Sequence, residues 1–384
     1  MSAKKKPAGK KKTKKPQAPF DPSRVKEQLL LYGLGEDSSR GERLRKVMTE
    51  LQMPWRDLEP EDLYRKVGIL AGLRDAPAPE RKPPEEPPRT ELMLMCGVSD
   101  ERMDALFDGM RRQGLDIGHK AALTEHNRKW TLMALLEEVS GEHRVVQAYM
   151  DLNRLANSAM SVINSARQDT EEIIALRNAV AEAVQVMNRE EPSEEQLTEA
   201  AGNLRGAYLK ATGLREVTGR AVLDLKKKEN GLWDLSVLVK EAEEGLEYEY
   251  SWNSGETGPA LTDLPREELI TRIVTVRAKD GYGSLSAQLE VPEEPRVTVR
   301  EELDRLELQW HPQHAGINRP AVEHTCVEVF RDGDSLRGSM RFGPEVQSAD
   351  LDDLEAGCEY TLKVWAENPA GRSDKAVIRL KMGD

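Results

Sequence analysis

The sequence predicts a multi-domain fold: a duplicated α/β unit, a three-helix bundle and two tandem β-sandwiches. Three observations predict it. A strand-then-helix pattern occurs twice in the first third of the chain. Residues from about Gly141 to Thr212 keep a helical period, and beyond Leu214 the apolar period changes from about 3.6 to about 2. At 384 residues the chain is too long for one small core and long enough for several compact units.

The first copy of the α/β pattern is Gln28-Leu-Leu-Leu-Tyr-Gly33, then Leu44, Val47, Met48 and Leu51 at helical spacing. The second is Glu91-Leu-Met-Leu-Met-Cys-Gly97, a Ser99-Asp100 cap, then Met103, Leu106, Phe107 and Met110. Each copy returns through a further helix, Leu63 to Leu73 and Trp130 to Val139. Between the copies, Ala76 to Pro88 is rich in Pro and reads as a semi-extended linker. The second copy, with Cys96-Gly97, Ser99-Asp100 and Lys120-Ala-Ala-Leu-Thr124-Glu-His-Asn127-Arg-Lys-Trp130, resembles a small bacterial domain of unknown function over residues 91 to about 140. That resemblance implies no activity.

Three antiparallel helices follow, with breaks at Asp169-Thr170 and at Glu191-Pro-Ser193-Glu-Glu195, where Ser and acids suit a helix start. The last, Pro192 to Ala207, is similar to the three-helix module of bacterial surface proteins known as found in various architectures. In the β region Trp233, Leu235, Val237 and Val239 share one face, as do Val274, Val276 and Ala278. Tyr250-Ser-Trp252-Asn-Ser-Gly255 and Val274 to Gly283 make residues 214 to 292 similar to polycystic-kidney-disease-type Ig-like domains, with Trp252 expected in the core. After Pro292-Glu-Glu-Pro295, Trp310 and the corner Leu354, Gly357 and Tyr360 resemble a fibronectin type III domain, with Ala356 where Pro is usual and Cys358 where Thr is usual. The expected division is 1–24 (a disordered Lys-rich arm), 25–140 (with linker 76–90), 141–213, 214–292 and 293–384.

Charge is abundant (32%) and the net charge is −12, yet Lys4, Lys5, Lys6, Lys10, Lys11, Lys12, Lys14 and Lys15 crowd the start. Such an acidic body repels nucleic acid and anionic membrane as a whole. Only the arm can attract a polyanion, which makes a nucleic-acid or ribosome-associated factor the alternative reading; a solubilising tail is the plain one. No run has the apolar length of a membrane span, no leader is read at the start, and three cysteines (Cys96, Cys326, Cys358) give no disulfide framework. A cytoplasmic location is the expectation.

No catalytic motif is present, so no enzyme and no cofactor are expected. Gly33-Leu-Gly35 lacks the later Gly and the Gly-Lys-Ser/Thr of a phosphate loop and reads as a tight turn. His311, His314, His324 and Cys326 have no common zinc-module spacing, and Cys96 ends an apolar run where packing is the better reading. His126, Asn127, Arg128 and Trp130 sit where a loop meets a helix; capping by Asn127 with Trp130 packed inward competes with a small-ligand site. Strand alternation turns Lys363 and Trp365 outward together with Phe330 on the neighbouring strand. These three are the candidate partner contact of a non-catalytic protein-binding or scaffolding protein, unless another part of the chain covers them.

Overall fold

The computed structural model describes residues 21, 25–75, 77–78, 81–242, 245–302, 305–352 and 354–382. The eight lysines of the N-terminal arm lie outside them. Helices dominate the N-terminal half and β-sandwich-like sheets the C-terminal half, in several separately cored parts.

The first part holds β1 (Gln28–Tyr32), α1 (Ser39–Glu50), β2 (Trp55–Leu58), the short α2 (Val67–Leu70), β3 (Leu92–Cys96), α3 (Asp100–Arg112) and β4 (Lys120–Ala122). The sheet order β2-β1-β3-β4 is symmetric about its centre: β1 and β3 pair antiparallel, Leu30 opposite Leu94, and each has a parallel outer neighbour. The central strands are apolar throughout because both faces are covered. Leu29, Leu31, Met93 and Met95 pack under Leu44, Val47, Met48, Leu106 and Met110 of α1 and α3. Leu30, Tyr32, Leu92, Leu94 and Cys96 face Leu63, Val67 and Leu70 on the other side. Each fully buried Leu of this kind contributes about 1.5–3 kcal/mol of apolar burial. Gly109 lets α1 and α3 approach closely, since a Cβ there would stand 2.5 Å from Val47 Cγ1. Ser38 caps α1 and Ser99 caps α3 by accepting from Gly41 N and Arg102 N.

Helix α4 (Leu132–Ser165) runs 34 residues, roughly 51 Å at 1.5 Å per residue. Its first turns, with Leu132, Leu135 and Leu136, belong to the core under the first sheet. Farther along, Leu152, Leu155, Ala156 and Ala159 pack with α5 (Glu171–Met187) and α6 (Glu194–Thr212). The break expected at 140–141 is therefore absent: α4 passes through it. A glycine inside a helix costs only about 1 kcal/mol, less than the packing on either side returns. Thr170 caps α5, and Ser193 with Gln196 forms a capping box on α6. Gly213, at φ +70°, closes α6.

Next come β5 (Arg215–Glu216), β6 (Arg220–Lys227), β7 (Trp233–Lys240), β8 (Tyr248–Trp252), β9 (Ala260–Leu264), the short α7 (Arg266–Leu269), β10 (Ile273–Ala278), β11 (Gly281–Tyr282) and β12 (Leu285–Gln288). Sheets β6-β7-β9 and β12-β10-β8 enclose Trp233, Leu235, Val237, Trp252, Val274 and Val276. Trp252 satisfies its indole by donating to Gly258 O at 3.0 Å. The small β5–β11 pair and the rings of Tyr208 and Tyr282, 5.4 Å apart, join this region to α6.

The last strands are β13 (Val297–Glu302), β14 (Arg305–Trp310), β15 (His324–Arg331), β16 (Asp334–Phe342), β17 (Ser348–Asp352), β18 (Glu359–Asn368), β19 (Gly371–Arg372) and β20 (Ala376–Lys381). Sheet β13-β14-β17 faces sheet β16-β15-β18, which β19 and β20 extend, across a core of Leu308, Trp310, Leu351, Val327, Leu362 and Val364. Tyr360, 1% exposed, accepts a 2.8 Å hydrogen bond at its hydroxyl from Glu355 N, the tyrosine-corner geometry. Tyr360→Phe removes that acceptor. About 1–2 kcal/mol should be lost in urea denaturation with the fold retained, and an unchanged midpoint would show that the corner adds nothing.

Candidate functional site

The turn after β18 reads Asn368-Pro-Ala-Gly371-Arg-Ser373-Asp-Lys375, and its side chains are spent on holding it still. Asn368 is fully buried; its Oδ1 accepts from Ala370 N at 2.9 Å and Gly371 N at 3.2 Å, and its Nδ2 donates to Glu290 O and Pro320 O. Ser373 Oγ accepts from Ala366 N. Gly371, at φ +140°, permits the turn. What it projects is Arg372.

Arg372 crosses to the segment before α1. Its Nε donates to Glu42 at 2.6 Å, Nη1 to Asp37 O at 3.1 Å, and Nη2 to Glu36 O at 3.0 Å and Ser38 O at 3.3 Å. Ser39 N donates to Asp374 Oδ1 at 2.7 Å, Lys375 N to Asp37 O at 2.9 Å, and Lys363 Nζ to Asp37 Oδ1 at 2.8 Å. Residues more than 320 positions apart thus form one polar seam. A planar fork with several fixed donors suits a set of convergent backbone carbonyls better than Lys would.

This seam revises the expected aromatic patch. Alternation does hold, with Cys326 opposite Trp365 and Val327 opposite Val364. Trp365, however, is only 6% exposed. Lys375 Nζ lies 4.4 Å over its ring and 3.1 Å from Glu328, and the indole donates to Glu367. Phe330 is half-buried under Lys363, whose Nζ lies 5.6 Å from the ring centroid and is committed to Asp37. Cations and the docked segment roof this face, so Trp365, Phe330 and Lys363 make no open aromatic surface.

A second seam joins the outer face of β12-β10-β8 to the end of α3. Gln288 Nε2 donates to Gly114 O at 2.9 Å, and a Cβ on Gly114 would stand 2.5 Å from that nitrogen. Beside this contact opens a cleft of about 910 Å³. Phe107, Met110 and Leu115 line it from the α3 side and Ser251, Ile273 and Thr275 from the sheet, with Asp108, Arg111, Arg112 and Lys120 supplying charge of both signs.

The remaining candidates resolve locally. Cys96 is fully buried in the first core, where burial pushes its thiol up to about 12. Cys326 is buried and its thiol is also raised, by burial first. Gly33 turns at φ +70° against Thr90 O, 2.9 Å from where its Cβ would be. Asn127 does not cap α4; it staples its own turn, with Oδ1 accepting from Thr124 N and Nδ2 donating to Ala122 O, and Thr131 is the cap. Trp130 packs half-buried against the first core, and its ring meets His126 edge-on at 4.9 Å. Among the described residues no group of three or more His, Cys, Asp or Glu side chains converges as a metal site. Arg372, Asp37, Gln288 and the cleft residues escape sequence reading because their partners are remote in the chain. Asn-Pro-Ala-Gly-Arg-Ser is a turn signal and carries no record of what the turn meets.

These features define a multi-domain protein whose C-terminal half is built of β-sandwich-like sheets. Residues 91–146, from β3 into α4, match the family model of DUF3783, a domain of unknown function. Among solved structures, the chain is similar to the fn3 domain of human collagen alpha-1(XX) chain, at 22% identity over 25% of this chain and 90% of that one, with a TM-score of 0.22. It is also similar to a two fibronectin type III domain segment from chicken tenascin, at 13% identity over 42% and 99%, with a TM-score of 0.24. No curated protein matches the sequence.

Burial raises the Glu42 carboxyl, but hydrogen bonding and charge from Arg372, joined by Lys46, outweigh it and leave the group below the ordinary value of 4.5. Its contribution to the seam is therefore complete above that value and lost as pH falls through the lower folded value. Glu42→Gln should flatten the fall in melting temperature between pH 5 and about pH 3 relative to the unmodified chain; parallel curves would contradict this. Arg372→Gln should speed amide hydrogen exchange at residues 36–39 while the β1–β3 pair stays protected, and unchanged exchange there would dismiss the clamp.

Proposed function

We propose that the chain is a non-catalytic protein-binding scaffold. We read it as a duplicated α/β unit, a three-helix bundle, an Ig-like sandwich and a fibronectin type III-like sandwich. The symmetric order β2-β1-β3-β4 supports the duplication, and the tyrosine corner with the two facing sheets supports the last assignment. The observation that carries the functional reading is the cleft between α3 and the β8–β10 face. It has an apolar wall of Phe107, Met110 and Leu115, a small polar wall of Ser251 and Thr275, and charges of both signs, the mixture found where proteins recognise proteins.

Unpaired Cys96, Cys326 and Cys358 fit a reducing compartment, and the cytoplasm is the location we propose. No helix among the described residues is long and apolar enough to cross a membrane.

Affinity capture with the tagged full-length chain tests the reading. Arg112→Glu, an exposed change, and Phe107→Ser should each deplete the same captured proteins, with circular dichroism unchanged at least for Arg112→Glu. A captured set that is identical for the parent and both variants would remove the cleft from the function.

A further inference from the structure

A smaller hollow of about 270 Å³ lies where α1, α7 and the β18–β19 turn meet. Four cations line it, Arg43, Lys46, Arg266 and Arg372, with two carboxylates, Glu42 and Glu267. The cations differ in how far their charge is already answered. Arg372 is saturated by Glu42 and backbone carbonyls, and Arg266 is ion-paired with Glu323 at 2.7 Å and donates to Asn368 O at 2.6 Å. Lys46 has a loose, exposed pair with Glu42 at 3.6 Å.

Arg43 stands apart. It is half-buried and donates to Gln113 O at 3.2 Å, and among the described residues no carboxylate lies within ion-pair distance of it. The acids that bear on it are engaged elsewhere, Glu42 with Arg372 and Glu91 with Arg40 at 3.3 Å. Burial, and then the like charge of Arg40, pull its guanidinium down to about 10. A surplus, partly desolvated guanidinium on a hollow is the arrangement that an incoming oxyanion relieves.

We propose that this hollow is a binding site for a small phosphate-bearing anion, gripped by the Arg43 fork and by Lys46. A guanidinium offers two parallel donors to two phosphate oxygens, and Lys46 adds a point charge. The volume, just under the usual 300 to 1,000 Å³ of ligand pockets, admits orthophosphate or a short monoester. Exposed Glu267 disfavours a longer polyphosphate by repulsion. Because the walls come from stretches distant in the chain, bound anion would stabilise their junction by mass action.

The test uses the full chain, with melting temperature and calorimetric titration against inorganic phosphate and glycerol 3-phosphate, and chloride at matched ionic strength as the reference. Phosphate or its monoester should raise the melting temperature saturably where chloride does not. Arg43→Gln should weaken apparent affinity by about tenfold or more, the loss expected for a charge-assisted hydrogen bond. Lys46→Gln, an exposed change that leaves the fold intact, should weaken it severalfold, and Arg277→Gln on the outer face of β10 should have no effect. An equal response to chloride, or full phosphate binding by both the Arg43 and Lys46 variants, would overturn the site. Should Arg43→Gln fail to fold, Arg43→Lys with Lys46→Gln decides by the same criterion.

Discussion

The docking of the turn after β18 onto the segment before α1 depends on one guanidinium. The cores of the first sheet, the helices and the two pairs of facing sheets each close by their own apolar burial. Arg372 is different in kind, because its donors satisfy carbonyls of Glu36, Asp37 and Ser38 that precede α1. The entropy of bringing such remote segments together grows only slowly with the chain between them, so a handful of well-placed polar contacts can hold them. The turn can present Arg372 in one pose because buried Asn368 and Ser373 have already fixed its backbone.

What was legible in the sequence was whatever is settled within a few residues. The β1 and β3 runs, the Ser99 and Ser193 caps and the break at Asp169-Thr170 follow from period and local chemistry, and the core positions of Trp252, Trp310 and Tyr360 are what the resemblance to sandwich domains implies. Where reading failed, a remote contact or a competing local option decided. Alternation told which side of its sheet Trp365 takes, but whether that side meets water depends on Lys375, Glu328 and a segment from the other end of the chain. The expected division at 140–141 falls inside α4, because cores on both sides of it hold the helix unbroken. Asn127 and Thr131 both suit a cap, and Asn127 was used four residues earlier for a turn of its own.

Electrostatics divides along the same line. The chain as a whole is acidic, but its seams gather cations: Arg372, Lys363 and Lys375 at one, Arg43 and Lys46 beside it. Such charges are weak as isolated surface pairs and gain weight where docking removes water from them. Beside that seam Arg43 stands half-buried, donating to Gln113 O at 3.2 Å.

The unbroken α4 makes the helical region a lever. Its base is clamped in the core beneath the first sheet, and its far end carries α5 and α6. On an arm of roughly 51 Å, a rotation of about 5° at the base moves the tip by about 4 Å, more than a hydrogen bond's length. Load placed on the distal turns near Ala166 is shared between Leu132, Leu135 and Leu136 at the base and the Tyr208–Tyr282 contact that holds α6 beside the β5–β11 pair. The helix is thus a strut through which the first sheet and the helical tip register each other's displacement.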